Sequence, residues 1–402
     1  MKKMTCYEDL MYRGLIKDMT NNEDFKDKLN KGGMTFYIGT DPSADSLHLG
    51  HYSSFMTAKR LASYGHHPIV LIGGATGLIG DPRPSAERAL ISKETVEKNL
   101  QGLEKQIKKL FNNDVEIVNN YDWTKDMTVL DFFRDVGKYI NLGYMLNKDI
   151  IRRRLETGIT YAEFSYTLLQ GYDFYYLYTH KNCIMQAAGS DQWGNITTGI
   201  ELINKKLGKD AYGFTMPLIL DATGKKFGKS EGNALWLDKE KTSPYDLYQY
   251  LFNSSDDKVE EYLKVFTFLT KEEIDKIMKE QKAHPESRIA QKTLAYEVVK
   301  DIHGEEDANN AKEKAEGIFS GNTDSVDKLE VSIKLPINIL DLLMETKLFP
   351  SKSEAKRMVL QNAISINTNK INDPTLMIDE SYNKDGILVQ KGKKNFIKLI
   401  IK

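Results

Sequence analysis

YIGTDPSADSLHLGH, from Tyr37 to His51, leaves a short apolar segment, crosses a turn rich in Gly, Pro and Asp, and enters what the spacing predicts is a helix. Just upstream, MTFYIG (Met34–Gly39) predicts a strand, Gly50 to about Ser63 a helix, and HPIVLIG (His67–Gly73) a second strand. A strand, helix and strand in that order predict a parallel pair joined by a right-handed crossover. Phosphate chemistry suits such a junction. Strand carboxyl ends face the ligand crevice of an open α/β sheet, and the helix that follows presents unpaired N–H groups and a partial positive charge. His48 and His51 fall in or just before the first helical turn, where imidazoles donate to phosphate oxygens, and Gly50 lets a nucleotide approach the backbone. A histidine-bearing helix cap without a ligand is the plain alternative, which the position directly after a strand disfavours.

Further out the alternation continues. Val96, Leu100, Leu103, Ile107 and Leu110 step by four and three along one helical face, and Val115–Asn119, Cys183–Ala188 and Phe214–Leu220 supply further candidate strands. The expected fold is α/β, a Rossmann-like doubly wound parallel sheet. Residues 244–320 hold long mixed polar and apolar stretches such as SRIAQKTLAYEVVK and predict a helical region, and Ser320–Lys328 (SGNTDSVDK) reads as a hinge. The expected domains are therefore 1–225 catalytic, 226–320 helical, 321–334 linker and 335–402 a small terminal domain. At 402 residues a single small module is excluded, and 41% apolar with 28% charged residues excludes a disordered chain. The net charge of −1 hides an asymmetry: residues 331–402 carry +5 and the rest −6, so any polyanion role is local to the tail. No apolar run reaches the 18 or so residues needed to span a bilayer, the start does not read as a leader, and Cys6 and Cys183 lack metal or disulfide spacing. A cytoplasmic protein with two reduced thiols is expected.

Two more constellations carry chemistry. The loop Asp221–Ser230 (DATGKKFGKS) combines glycine freedom with Lys225, Lys226, Lys229 and Ser230, donors suited to a leaving pyrophosphate. Its spacing is not that of a P-loop, and a solvated basic turn accounts equally well for its composition. In the aromatic segment YAEFSYTLLQGYDFYYLYTH, Tyr166, Gln170 and Asp173 sit at i, i+4 and i+7 on one helical face. Buried there, a carboxylate needs donors; a polar ligand supplies them, and so does an internal hydrogen-bond cluster.

Together with GGATGLIGDP (Gly73–Pro82), EFSYTLLQGYD (Glu163–Asp173), GSDQWGNI (Gly189–Ile196) and KFGKS (Lys226–Ser230), these stretches closely resemble the tyrosyl-tRNA synthetases of the bacterial kind, a class I family, along nearly the whole chain. The resemblance implies that Tyr37 and Asp173 bind the phenolic hydroxyl of tyrosine, that Asp81, Tyr166 and Gln170 hold its ammonium, and that Gln186, Asp191 and Gln192 surround its carboxylate and the adenylate ribose. Gly39 and Gly189 would admit the ligand to the backbone, with Asp41 at the same mouth. Ser43 and His48 resemble γ-phosphate contacts, His51 a ribose or adenylate contact, and Lys226 and Lys229 a mobile pyrophosphate clamp beside Ser230. Rejection of phenylalanine without editing is an established trait of this family and comes with the resemblance. Ile38 stands where some relatives carry cysteine, and Leu49 replaces the isoleucine of the usual HIGH motif.

The tail, with PSKSEAKRMVLQNAISIN and ILVQKGKKNFIKLI, resembles an S4-type RNA-binding module. Ser351 is placed to cap a helix presenting Lys352, Lys356 and Arg357 to phosphates, and the KGKK turn adds Lys391, Lys393 and Lys394 as candidate tRNA contacts, or simply as a solvated face. The implied partners are L-tyrosine, ATP with Mg2+ arriving alongside it and no protein-held metal, tRNA(Tyr), and a second copy in a homodimer formed around Asp131–Gly143. Three rivals remain. A tryptophanyl-tRNA synthetase fits less well because of the Tyr37 and Asp173 pair; another class I adenylyl transferase leaves the lysine loop and tail unexplained; a non-catalytic RNA-binding scaffold leaves intact His48, His51, Lys226 and Lys229 without a purpose.

Overall fold

A computed structural model describes residues 4–21, 23–81, 90–230, 233–320, 328–367, 369–383, 386–392 and 395–402; for 149–150, 156–157, 229–230, 233, 317–320 and 395 it describes the backbone alone. The chain divides into two compact units, 1–305 and 306–402.

Unit 1 is built on a six-stranded sheet: β1 (Asp18–Met19), β2 (Thr35–Thr40), β3 (His67–Ile72), β4 (Glu116–Asn119), β5 (Cys183–Gly189) and β6 (Tyr212–Met216), in the order β1-β6-β5-β2-β3-β4. All neighbours are parallel except the edge pair β1 and β6. From β2 the chain winds outward to β3 and β4, then returns to the other side of β2 through β5 and β6. The doubly wound arrangement expected from sequence is thus present, with its switch point between β2 and β5, where such sheets open a crevice at their carboxyl ends. Phe36, Ile69, Val70, Met185 and Phe214 are buried on this sheet, as strands covered by helices on both faces require.

The apolar runs locate the strands to within a residue or two, except the last. That strand ends at Met216, whereas the expected run reached Leu220; Pro217 cannot donate to a ladder, and Leu218 and Leu220 are exposed. β1 has only two residues and no pattern to betray it. The helix Leu49–Ser63 is fixed by the Tyr52 hydroxyl donating to Asp301 at 2.8 Å and Arg60 donating to the Thr267 carbonyl at 2.7 Å. In the helix Lys93–Leu110, Asn99 is buried on the face expected to be wholly apolar, and its amide donates to the Pro42 carbonyl at 2.9 Å. Gly102 lies so close to the same turn that an added Cβ would stand 2.3 Å from the Asp45 carbonyl oxygen. Gln106 accepts from the Leu47 N–H at 2.8 Å, so this helix carries the whole 41–47 turn. Residues 244–320 are helical, as expected, with helices at Pro244–Phe252, Val259–Phe266, Lys271–Ala283, Ile289–His303 and Glu305–Ser320.

Unit 2 packs helices Ile339–Glu345 and Lys352–Leu360 on a five-stranded sheet, ordered Asn369–Ile371, Ile364–Ile366, Ile387–Lys391, Asn395–Ile401 and Lys328–Val331. Ile339, Leu342, Val359, Ile364, Ile387 and Leu399 form its buried core. Residues 321–327 of the expected linker lie outside the described residues, but 328–331 form a strand, paired in parallel with Lys398–Ile401. Four residues with one buried side chain, Val331, offer too little pattern to reveal that strand without its partner.

Candidate active site

The first turn of the helix Leu49–Ser63 is capped by its own histidines. The His48 N–H donates to Nδ1 of His51 at 3.2 Å, and the His51 N–H donates to Nδ1 of His48 at 3.3 Å; the two rings stack with centroids 3.7 Å apart. The helix-cap reading and the ligand reading of this motif are therefore compatible. With Nδ1 used as an acceptor, the neutral ring carries its proton on Nε2, the nitrogen pointing away from the cap. Burial, reinforced by His48, holds the His51 pKa down at about 3, so His51 is neutral at working pH and donates without carrying charge. Gly50 serves the cap first: a Cβ there would lie 2.9 Å from the His48 ring.

At the switch point Tyr37 of β2 and Gln186 of β5 are register partners and share a face of the sheet. Both are about 1% exposed, and among the described residues the Tyr37 hydroxyl and the Gln186 side-chain Oε1 have no hydrogen-bond partner. Burial and then the nearby Asp173 charge keep the Tyr37 hydroxyl protonated, making it a donor. Asp173, equally buried, arrives from the helix Tyr161–Lys181 and accepts from the Asn120 amide at 3.0 Å and the Trp123 indole N–H at 2.9 Å. Burial raises its pKa to about 7 against the opposing pull of those two donors.

Tyr166 and Gln170, two turns and one turn nearer the helix start, enter two further chains of contacts. The Tyr166 hydroxyl donates to Asp41 at 3.0 Å, and Asp41 also accepts from the Thr76 hydroxyl at 2.8 Å. Asn195 donates to both Gln170 and Gln192 at 2.8 Å, and Gln192 donates to Asp81 at 2.9 Å. The sequence-derived residues Tyr37, Asp41, Asp81, Tyr166, Gln170, Asp173, Gln186 and Gln192 are thus brought to one crevice. Gly39 is exposed at the end of β2, and the Asp191 carboxylate folds over Gly189 at the end of β5. Ser43 is exposed in the turn. Sequence reasoning missed Thr76, Asn120, Trp123 and Asn195. Asn195 alone carried a signal, since it lies three residues beyond Gln192 and so on the same helical face.

The lysine loop docks on the histidine turn. Leu47 accepts from the Leu237 N–H and the Leu49 N–H donates to Leu235, both at 2.8 Å, while the Leu235 N–H donates to Gly228 at 2.9 Å. Gly228, at φ +87°, lies so near the histidine turn that an added Cβ would meet Leu49 and Gly50. Lys226 is exposed; at Lys229 and Ser230 only the backbone is described, as a two-residue strand paired with Asn233–Ala234.

In unit 2 the Ser351 hydroxyl caps its helix by accepting from the Glu354 N–H at 3.3 Å, and Lys352, Lys356 and Arg357 are exposed, Lys352 pairing with Asp341. Lys391 departs from expectation. Its ammonium donates to the Leu348 carbonyl at 2.7 Å, pairs with Glu354 at 3.1 Å and lies over the Phe349 ring, so it braces the unit instead of facing solvent. Lys393 and Lys394 lie outside the described residues.

Comparison with known proteins fits this geometry. The family described as tRNA synthetases class I (W and Y) matches residues 29–320, and the tyrosine–tRNA ligase SYY-like C-terminal domain matches residues 319–399. A C-terminally truncated mitochondrial tyrosyl-tRNA synthetase of Aspergillus nidulans is 34% identical, with a TM-score of 0.70 over 79% of this chain and 95% of its own. This chain belongs to the tyrosyl-tRNA synthetases. The corresponding truncated enzyme of Coccidioides posadasii is 32% identical, with a TM-score of 0.68 over 77% of this chain and 92% of its own. A tryptophanyl-tRNA synthetase of Encephalitozoon cuniculi, 14% identical with a TM-score of 0.54 over 76% of this chain and 87% of its own, shares the fold alone. Among the described residues, no helix is long and apolar enough to cross a membrane.

Proposed function

We propose that the crevice at the β2–β5 switch point ligates tyrosine to tRNA(Tyr) in two steps. The observation that carries this reading is the pair of buried groups with no partner among the described residues, the Tyr37 hydroxyl and the Gln186 Oε1, with a nearby carboxylate whose other donors are already in place. A phenolic substrate satisfies both ends of the hydroxyl pair: its O–H donates to Asp173 and its oxygen accepts from Tyr37. Phenylalanine leaves both unsatisfied in a buried site. Asp81, Tyr166 and Gln170 hold the ammonium, with Asp41 and Asn195 orienting the latter two through the contacts above.

In the first step a tyrosine carboxylate oxygen bonds to the α-phosphorus of ATP and the bond to the β-phosphate breaks, releasing pyrophosphate. Magnesium accompanies the triphosphate as part of that substrate. The carboxylate is ionised at neutral pH, so the step needs alignment and donors for the developing charge, without a general base. His48 and His51 supply Nε2–H donors, Ser43 and the Lys226, Lys229 and Ser230 loop meet the β- and γ-phosphates, and Gly39, Gly50, Gly189, Asp191 and Gln192 border the adenylate. In the second step a ribose hydroxyl of the terminal adenosine of tRNA attacks the activated carbonyl and releases AMP. Lys352, Lys356 and Arg357 contact tRNA phosphates, which orients the RNA without reading its bases.

Val129 and Leu130 are 68% and 79% exposed, with Phe133 and Leu142 close by in sequence and also exposed, which supports a homodimer joined through 129–143. Sedimentation at the mass of one chain would remove that part of the reading. A reducing compartment, the cytoplasm, suits the buried free thiols Cys6 and Cys183.

The test of the chemistry is single-turnover adenylate formation. His48→Ala and Lys229→Ala should each slow it by roughly 10²-fold, the usual loss for a donor used in the transition state, while tyrosine affinity stays near that of the parent. Parent-like rates in both variants would falsify the assignment.

A further inference from the structure

Gly228, the middle residue of KFGKS, is held from several directions. Its N–H donates to the Tyr250 hydroxyl at 2.9 Å and its carbonyl accepts from the Leu235 N–H at 2.9 Å. An added Cβ would lie 3.0 Å from Leu49 Cβ and 3.2 Å from the Gly50 nitrogen, and φ is +87°. The preceding residue, Phe227, is 6% exposed in a lysine-rich loop that composition alone made solvent-facing. Its ring sits in a socket of Tyr250, Tyr262 and Phe266, at centroid distances of 5.2, 4.2 and 5.2 Å. Phe266 in turn stacks on Tyr52, the residue after His51, at 6.0 Å, and the Tyr262 hydroxyl donates to the Leu220 carbonyl at the base of the loop at 2.9 Å. The loop therefore has a seated centre, with Lys226 exposed on one side and Lys229 following directly on the other.

We propose that Tyr250 is a positioning residue for tyrosine activation: its hydroxyl oxygen holds the Gly228 N–H and so fixes the pivot from which Lys226 and Lys229 reach the departing pyrophosphate. This rests on the clamp reading of those lysines. A fixed pivot confines the ordering cost of closure to two side chains, because the backbone between them is already set against the histidine turn. Of the contacts on Gly228, the hydroxyl is the one a side-chain change removes cleanly. Tyr250→Phe keeps the ring against Phe227 and leaves a buried N–H without its acceptor.

The experiment compares single-turnover adenylate formation and equilibrium tyrosine binding in the full-length protein. Tyr250→Phe should slow the step about three- to tenfold, the worth of one hydrogen bond, with tyrosine affinity unchanged, which also reports a folded crevice. In a background lacking both lysines, Lys226→Ala with Lys229→Ala, the same change should cost less than about twofold, since a residue acting through the lysines has nothing left to position. An unchanged rate in the single variant, or an equal cost in both backgrounds, overturns the proposal. If the lysine double variant itself runs at the parent rate, the clamp reading fails and this proposal with it; if only Tyr250→Phe is silent, the pivot alone fails.

Discussion

In the proposed tyrosine site, Asp173 is the group whose titration is expected to govern binding. A carboxyl whose pKa is raised to about 7 binds its proton more tightly in the folded, empty protein than in the unfolded chain. Its contribution to stability is fully present below the ordinary carboxylate range and is lost as pH rises through 7, so the ionised form needed for tyrosine is the costly one. Tyrosine dissociation constants, measured by titration from pH 9 to 5.5, should be flat above about 8 and rise roughly tenfold per unit below 7. A flat profile throughout would mean that Asp173 does not accept the phenol proton. That Tyr166, Gln170 and Asp173 share one helical face was legible from their spacing, whereas their roles rest on the family resemblance. Asn120 and Trp123 were not: they come from the segment after β4, and nothing local announces that their donors end on a carboxylate 53 and 50 residues away.

The helix Lys93–Leu110 supports the chemistry without lending it a reacting group. Its apolar stripe was plain in the sequence, yet what matters for the site is polar or absent: the Asn99 amide, the Gln106 carbonyl and the missing side chain at Gly102. Gly102→Ala drives a methyl group into the Asp45 carbonyl, backbone that cannot rotate away, so helix and turn must separate. Thermal or urea unfolding should show a loss of about 1–3 kcal/mol, and the KM for ATP should rise with tyrosine affinity spared. Parent stability together with a parent KM would mean that the turn is not held by this helix. Four of the five parallel strands, β2, β3, β5 and β6, were found as apolar runs because most of their residues are buried; β4, at the edge, has no buried residue. Two of the strands that the sequence did not announce, β1 and Lys328–Val331, pair with distant partners, Tyr212–Met216 and Lys398–Ile401.

At the scale of the whole molecule, every residue assigned to tyrosine activation lies in unit 1, and the cations assigned to tRNA lie in unit 2. A chain ending at Ser320 should keep tyrosine-dependent exchange of pyrophosphate into ATP within a few-fold and lose at least tenfold in tRNA charging, with parent-level charging the outcome that removes the tail from the reaction. A separate tail was readable from charge, +5 against −6 for the rest, whereas the inward use of Lys391 was not, because composition does not distinguish a solvated ammonium from one braced against Leu348 and Glu354. In unit 2 the strand Asn395–Ile401 sits between Ile387–Lys391 and Lys328–Val331, inside the sheet and not at its rim. During synthesis the ribosome must release these late-made residues from its exit tunnel before the sheet can be completed, so unit 2 matures after unit 1, and a premature stop codon just ahead of Asn395 would leave its two neighbouring strands with nothing to join them.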